Sequence, residues 1–202
     1  MIDVLATFIS FFSVIDPIGT VPVFVAVTAG FTPAQRRRAA GVAALVSSAV
    51  LLFFLIGGEP ILDALSIPLP AFQIAGGLVL FLFALTMIFG DSKPDEEIRI
   101  AREQDETGIY PLAVPSIASP GAMLAAVLLT DNSKFDVWQQ SQTAAVMLSV
   151  VAVAYAMMLA AGPIIRFIGR GGASVASRVM GLLLSSVAVD NTLTGVRLYF
   201  DL

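Results

Sequence analysis

Asp16-Pro17-Ile18-Gly19 interrupts one long apolar run of this chain, and Ser119-Pro120-Gly121-Ala122 interrupts another. In both tetrapeptides, a residue type that caps helix N-termini directly precedes a proline, which is favoured at the first helical position. A polar helix start inside a membrane is energetically costly, because the hydrocarbon core offers no water to the backbone groups. Two such starts at matching places therefore predict a binding site.

The composition indicates a polytopic membrane protein. The chain has 202 residues, of which 57% are hydrophobic and 13% charged, and its mean hydropathy is +0.91. A soluble domain cannot bury that much apolar surface. The N-terminus has no basic region and no small-residue cleavage site, so we expect no signal peptide. Because the chain has no cysteine and no histidine, we expect no disulfide, no metal site and no cofactor. Nothing indicates nucleic-acid binding.

Six apolar stretches have the ~20 residues that a membrane span requires. Their length and continuous apolar character favour helices over barrel strands, in which apolar and polar residues alternate. The first stretch is long enough to be a helix that is broken and kinked at Asp16-Pro17. The stretches are residues 2–29, 39–57, 69–89, 109–130, 143–168 and 174–200.

The basic residues predict the orientation in the membrane. Nine of the eleven lie in the first loop, the third loop and the region 166–178, whereas the other side has only Lys134 and Arg197. The positive-inside rule then places the odd loops in the cytoplasm and both termini outside. The third loop, residues 91–108, is strongly acidic. We expect it to be a solvated linker, with a regulatory or partner-binding role as the alternative.

The second half of the chain repeats the order of prolines and glycines in the first half. Two proline pairs are 103 positions apart and two glycine pairs are 105 positions apart. Each half then holds three helices, and an odd number makes the second half enter from the opposite side. The alternative is an accidental match among helices rich in proline and glycine. The pairs are Pro17 with Pro120, Pro60 with Pro163, Gly76 with Gly181, and Gly90 with Gly195.

The predicted fold is thus an all-α membrane protein of six transmembrane helices in a 3+3 inverted repeat. The first and fourth helices are broken at Asp16-Pro17 and Ser119-Pro120. One membrane domain contains the first repeat (1–90), the acidic cytoplasmic loop (91–108) and the inverted second repeat (109–202).

Each break supplies backbone groups that can bind a ligand. The half-helix that starts after a break presents unpaired N–H groups and a positive dipole end, which favour an anionic group such as a carboxylate. The half before it ends in carbonyls that could accept hydrogen bonds from an ammonium group. Gly19 and Gly121 keep side chains away from these ends, so another backbone or a ligand can approach. A small zwitterion would satisfy both kinds of group.

Three polar residues in the spans are further candidates. Asp16 either only caps its half-helix or also contacts a substrate or a proton; the use of a neutral cap at Ser119 favours the second role. Asp190 and Asn191 lie well inside the sixth stretch, so they either face a cavity or form a helix–helix hydrogen bond.

Four motifs stand out along the chain: IDPIGTVP at 15–22, AFQIAGG at 71–77 followed by Phe89-Gly90, PLAVP at 111–115 with Ser119-Pro120-Gly121-Ala122, and RVMG at 178–181. In combination they resemble those of the MarC family, also called the UPF0056 membrane proteins, and the resemblance covers essentially the whole chain. It implies a six-helix inner-membrane protein, related to the LysE-type transporters, that carries small neutral amino acids such as glycine and alanine. Five positions depart from the residues common in that family, so the exact substrate stays open: Thr20, Gln73, Thr86, Ser119 and Asp190.

These observations predict a secondary transporter, and not an enzyme, for a small neutral zwitterion in a bacterial or archaeal plasma (inner) membrane. The chain has no nucleotide-binding motif. Coupling to H⁺ or Na⁺ would involve Asp16 or Asp190, with Na⁺ coupling through the unwound carbonyls equally allowed, and a homo-oligomer is compatible with the sequence. The alternatives are an intramembrane enzyme that uses these two carboxylates, and a passive channel or lipid-handling protein. The predicted substrate-binding residues are Asp16, Gly19, Thr20, Ser119, Gly121 and Asn191.

Overall fold

The computed structural model describes residues 2–89, 112–132 and 134–201, and the regular structure in these ranges is entirely helical. The acidic loop 91–108 lies outside the described residues. In chain order, the elements are α1 (Val4–Ile15), α2 (Pro17–Val27), α3 (Pro33–Ala64), α4 (Leu69–Phe89), α5 (Leu112–Ile117), α6 (Pro120–Leu128), α7 (Val137–Leu159) and α8 (Ala161–Tyr199).

Within the described residues, five helical segments are long and apolar enough to cross a membrane. They correspond to five of the six predicted stretches, and α1 and α2 together make the first of them. The described part of the fourth stretch is not a single helix. Its element α5 is a π-helical turn in which Val114 has extended dihedral angles, and the nine-residue α6 follows. Pro115 and Pro120 have no backbone N–H, so a continuous hydrogen-bond ladder cannot pass through this region.

Two predicted boundaries are corrected. Helix α3 starts at Pro33 rather than near residue 39, because Thr32 and Gln35 form a capping box at its N-terminus. The arginines at 36–38 therefore belong to the first turns of α3 and not to a loop. The fifth stretch is divided at Ala160, where α7 ends and α8 starts, and α8 itself bends at Gly169, just beyond that stretch. Gly169 has φ 68° and ψ 172°, a conformation that is open essentially to glycine alone.

The first broken helix lies at the centre of the protein. About two-thirds (67%) of the apolar window in Val4–Val27 is buried, against 22–33% in the other four spans. Helix α1 packs against α6 and α7, and α2 packs against α5, α7 and α8. Large apolar side chains on the outer helices are exposed, as expected for surfaces in contact with lipid. The breaks are thus shielded from lipid by the surrounding helices.

Helices α4 and α8 pack closely along much of their length because glycines face the partner helix. A Cβ atom at Gly77 would lie 2.9 Å from the carbonyl oxygen of Ala188. A Cβ atom at Gly181 would lie 2.9 Å from Cβ of Met87. Backbone atoms cannot give way as a flexible side chain can, so this interface requires glycine.

We predict that Gly77→Ala destabilises the protein by about 1–3 kcal/mol, the range measured for overpacking in close-packed interiors. Gly41→Ala is the matched control, since Gly41 also lies within a helix but has no atom within 4 Å of the position of a Cβ. Thermal unfolding of both variants in detergent measures the effect. Equal melting temperatures for the two variants would contradict the packing account.

Candidate functional site at the two helix breaks

The first break, between α1 and α2, consists of a single residue, Asp16. It has left-handed dihedral angles (φ 50°, ψ 68°), and its N–H donates to the carbonyl of Phe12 at 3.0 Å, which ends α1. Its Oδ1 accepts from the N–H of Gly19 at 3.0 Å, which caps α2. Pro17 occupies the first helical position. The capping predicted from the sequence is therefore confirmed, and a single residue both ends one helix and starts the next.

The second carboxylate oxygen of Asp16 is available for a further interaction. The side chain is only 2% exposed, and Oδ2 has no hydrogen-bond partner among the described residues. A buried acceptor without a donor is energetically unfavourable. A Cβ at Gly19 would clash with this carboxylate, since it would lie 2.8 Å from Cγ of Asp16. Gly19 thus makes room for the capping carboxylate itself, and its approach to a ligand or a second backbone stays a prediction.

Ser119 connects the second break to the first. Its Oγ accepts from the N–H of Ala122 at 3.1 Å, which caps α6, and donates to the carbonyl of Val14 at 2.8 Å. The side chain is fully buried. Val14 lies in the last turn of α1, whose carbonyls were expected to be free for an ammonium group. This carbonyl is instead occupied by the hydroxyl of Ser119.

A second cross-link joins the breaks and includes a residue that the sequence reasoning missed. The hydroxyls of Thr20 and Ser116 lie 3.1 Å apart, and Thr20 Oγ1 also donates to the carbonyl of Asp16 at 3.1 Å. Both side chains are buried. Ser116 could have been found, because it lies 103 positions after Ser13, the same offset that relates Pro17 to Pro120.

A cavity of about 410 Å³ lies beside the breaks, between α1, α4, α6 and α8. This volume is within the range of ~300–1,000 Å³ that is usual for small-molecule sites. Its walls are mostly apolar and include Leu80, Leu124 and Leu184. Five polar side chains face it: Ser10, Ser13, Ser186, Asp190 and Asn191.

The structure divides the predicted site residues into two groups. Gly121, Asp190 and Asn191 line the cavity. The other predicted residues, which are Asp16, Gly19, Thr20 and Ser119, are buried in the breaks and are not part of the cavity wall. The two groups adjoin, because Ser13 and Val14 line the cavity and lie within three residues of Asp16 in the first break.

Gly121 lies where the two groups meet. It is in the first turn of α6, and a Cβ at this position would lie 2.6 Å from Cδ1 of Leu80 and 3.5 Å from Cγ1 of Val14. The glycine therefore allows α6 to approach both α4 and α1. The N-terminal end of α6 consequently reaches the cavity, with its N–H groups and its positive dipole end.

Asp190 and Asn191 have different environments. Asp190 is exposed and borders the cavity. Asn191 also borders it, and its Oδ1 accepts from Nε2 of Gln73 at 3.4 Å, a long hydrogen bond between α8 and α4. Both expectations for Asn191, a cavity-facing residue and a helix–helix bond, are thus met by one side chain. Among the described residues, no three acidic side chains are close enough together to hold a metal ion.

The fold and the site define a class: a multi-pass, all-helical integral membrane protein with two broken helices packed at its centre. The model of the "MarC family integral membrane protein" matches residues 1–200. This chain belongs to the MarC family.

Curated relatives cover nearly the whole chain. A UPF0056 membrane protein of Methanocaldococcus jannaschii is 34% identical over 193 residues, which is 94% of each chain. A second, from Archaeoglobus fulgidus, is 30% identical over 95% of this chain and 91% of its own length. The UPF0056 inner membrane protein YhgN of Escherichia coli K12 is 30% identical over 98% of each chain. No solved structure matches.

We predict that Ser119→Ala lowers the free energy of unfolding by about 1–3 kcal/mol. The substitution removes an N-cap and leaves the buried carbonyl of Val14 without a donor. Ser149→Ala is the control, because Ser149 is exposed and bonds only within its own helix. Thermal unfolding in detergent compares the two variants. If Ser119→Ala were as stable as Ser149→Ala, the two breaks would not be coupled through this hydroxyl.

Proposed function

We propose that this protein is a secondary transporter of a small neutral amino acid across the plasma (inner) membrane, built as a 3+3 inverted repeat. The observation that carries the proposal is the pairing of two capped half-helix starts, at Asp16 and Ser119, in the buried centre beside a cavity with polar groups. Broken helices that meet at a central site are typical of secondary transporters.

The contacts between α4 and α8 support the inverted repeat. Gly77 packs against Thr192, and Gly181 packs against Met87. Thr192 lies 105 positions after Met87, and Gly181 lies 105 positions after Gly76. When each residue is replaced by its counterpart 105 positions away in the other half, the contact of Gly77 with Thr192 becomes the contact of Gly181 with Met87 to within one residue. Two halves related by a two-fold axis require such a correspondence.

The polar contacts between these helices follow the same exchange to within two residues. Gln73 Nε2 donates to Asn191, and Arg178 Nη1 donates to the carbonyl of Ile88. Arg178 lies 105 positions after Gln73. Asn191 lies 105 positions after Thr86, and Thr86 is half a helical turn from Ile88 in α4. This correspondence would be unexpected if the repeated prolines and glycines were an accidental match.

The cavity has the chemistry that a small zwitterion needs. Of the first-turn N–H groups of α6, those of Ala122 and Met123 bond to Ser119. Gly121, which lines the cavity, carries the remaining N–H and can donate to a substrate carboxylate. The carboxylate of Asp190 can accept from the ammonium group. The leucines in the wall favour a substrate with a small apolar side chain and disfavour a charged one.

Asp16 is the residue we assign to coupling with H⁺ or Na⁺, with Asp190 as a second candidate. Oδ2 of Asp16 is buried and can take a proton or contact a cation, while Oδ1 continues to cap α2. Since Ser119 bonds to the carbonyl of Val14 in the other half of the same broken helix, a change at Asp16 can be transmitted to both breaks.

We predict that the purified protein in proteoliposomes takes up radiolabelled glycine or alanine, and that Asp16→Asn abolishes any effect of a pH gradient on the uptake. Asparagine retains the cap but cannot exchange a proton. Asp63→Asn is the control, because Asp63 is exposed near the end of α3 and should respond like the unmodified protein.

Two results would contradict this account in different ways. No uptake of any small amino acid in a broad panel would overturn the substrate assignment. An Asp16→Asn variant that keeps the same pH dependence as the unmodified protein would remove Asp16 from coupling and leave it as a cap only.

We also propose that both termini face outside. The carboxylate of Glu59, near the end of α3, accepts from the N–H of Asn132, so the connection between α6 and α7 lies at the same membrane face as the end of α3. The arginines at 36–38, at the start of α3, and Arg178, which bonds at the end of α4, belong to the opposite face. This arrangement keeps these four arginines together on one side, in accord with the positive-inside rule.

Because the chain contains no cysteine, single introduced thiols report the orientation directly. We predict that Val137→Cys reacts with a membrane-impermeant thiol reagent in intact cells, whereas Ala34→Cys reacts only after permeabilisation. Both positions are exposed at helix starts, on opposite faces. The reverse pattern would place the termini in the cytoplasm.

A further inference from the structure

A second cavity, of about 350 Å³, lies where α2, α3 and the junction between α7 and α8 meet. One wall of this cavity is positively charged and the other is apolar. Arg36 and Arg37 of α3 form one wall, and apolar side chains of α2 and α7, among them Phe24, Val25 and Leu159, form the other. Neither the proposed transport path nor the helix breaks use these residues.

The position of the cavity corresponds to a membrane surface. Helix α3 has 32 residues, so at 1.5 Å per residue it is ~48 Å long, well beyond the ~30 Å hydrocarbon core. Its first turns, with Arg36 and Arg37, therefore extend to the level of the lipid headgroups. Helices α2 and α7 end beside them at Val27 and Leu159, so their apolar last turns line the part of the cavity nearer the hydrocarbon.

Arg36 is oriented by a described residue, and neither Arg36 nor Arg37 is neutralised by one. Nε of Arg36 donates to the carbonyl of Thr28 at 3.2 Å, which holds the guanidinium against the end of α2. In the described ranges, the one salt bridge joins Lys134 to Asp131, at the opposite face. Two guanidinium groups beside an apolar wall are complementary to an anion that carries a hydrocarbon tail.

We propose that this cavity is a binding site for one anionic phospholipid. The phosphate would accept hydrogen bonds from Arg36 and Arg37, since a guanidinium matches phosphate geometry. An acyl chain would lie along Phe24, Val25 and Leu159. The lipid would then connect α2, the second half of the first broken helix, to α3 and α7.

Native mass spectrometry of the purified full-length protein tests the site, with phosphatidylglycerol and phosphatidylcholine of identical acyl chains as probes. We expect retention of one phosphatidylglycerol in preference to phosphatidylcholine. Arg37→Gln should weaken this retention roughly fivefold, the effect of one basic residue near a membrane surface. Arg38→Gln is the matched control, because it removes the same charge from the same helix but Arg38 does not line the cavity.

A second variant tests the apolar part without a change of charge. Gly162 lines the cavity and has no atom within 4 Å of the position of a Cβ. Gly162→Trp should fill the space, without displacing the backbone, and should expel the bound lipid.

Several outcomes would overturn the proposal. If Arg37→Gln and Arg38→Gln lost phosphatidylglycerol retention equally, the lipid would be held by general charge attraction and not by a specific site. Retention of phosphatidylglycerol by Gly162→Trp would exclude the cavity. Displacement of the lipid by glycerol phosphate at equal concentration would indicate a free phosphate ester as the ligand. None of these readouts depends on transport, so the lipid site and the transport proposal can fail separately.

Discussion

The hydrogen bond from the hydroxyl of Ser119 to the carbonyl of Val14 joins two helix ends that would otherwise each leave a polar group unpaired in the interior. In a hydrocarbon environment an unpaired carbonyl is strongly unfavourable, so a broken helix can persist only if a neighbour supplies the missing donor. Ser119 does so while also capping α6. The two breaks are consequently one structural unit, and the surrounding helices serve to keep lipid away from it.

This unit is asymmetric in its capping side chains. A serine can both accept and donate, and Ser119 does both. Asp16 caps α2 through Oδ1, and its Oδ2 has no partner in the described structure. The two breaks are thus similar in backbone but different in the side chain that caps them.

Much of the fold was predictable because its causes are local. A capping residue followed by proline starts a helix wherever it occurs, so both α2 and α6 were located from the sequence. The start of α3 was missed because its three arginines were assigned to a loop, although the capping box of Thr32 and Gln35 precedes them. The division after α7 was missed too, although Gly162-Pro163 follows its end at Leu159 and a proline disfavours helical geometry in the residue before it.

The site was less predictable because its contacts are long-range. The sequence by itself determined a membrane protein with two capped breaks at matching positions, since hydrophobicity, proline and caps act within a few residues. Only the tertiary structure decided that the hydroxyls of Thr20 and Ser116 meet between the two breaks. It also decided that Ser119 occupies the carbonyl of Val14 and that the cavity borders Asp190. These outcomes depend on which helices pack together, because packing sets the distances between groups that lie about a hundred residues apart.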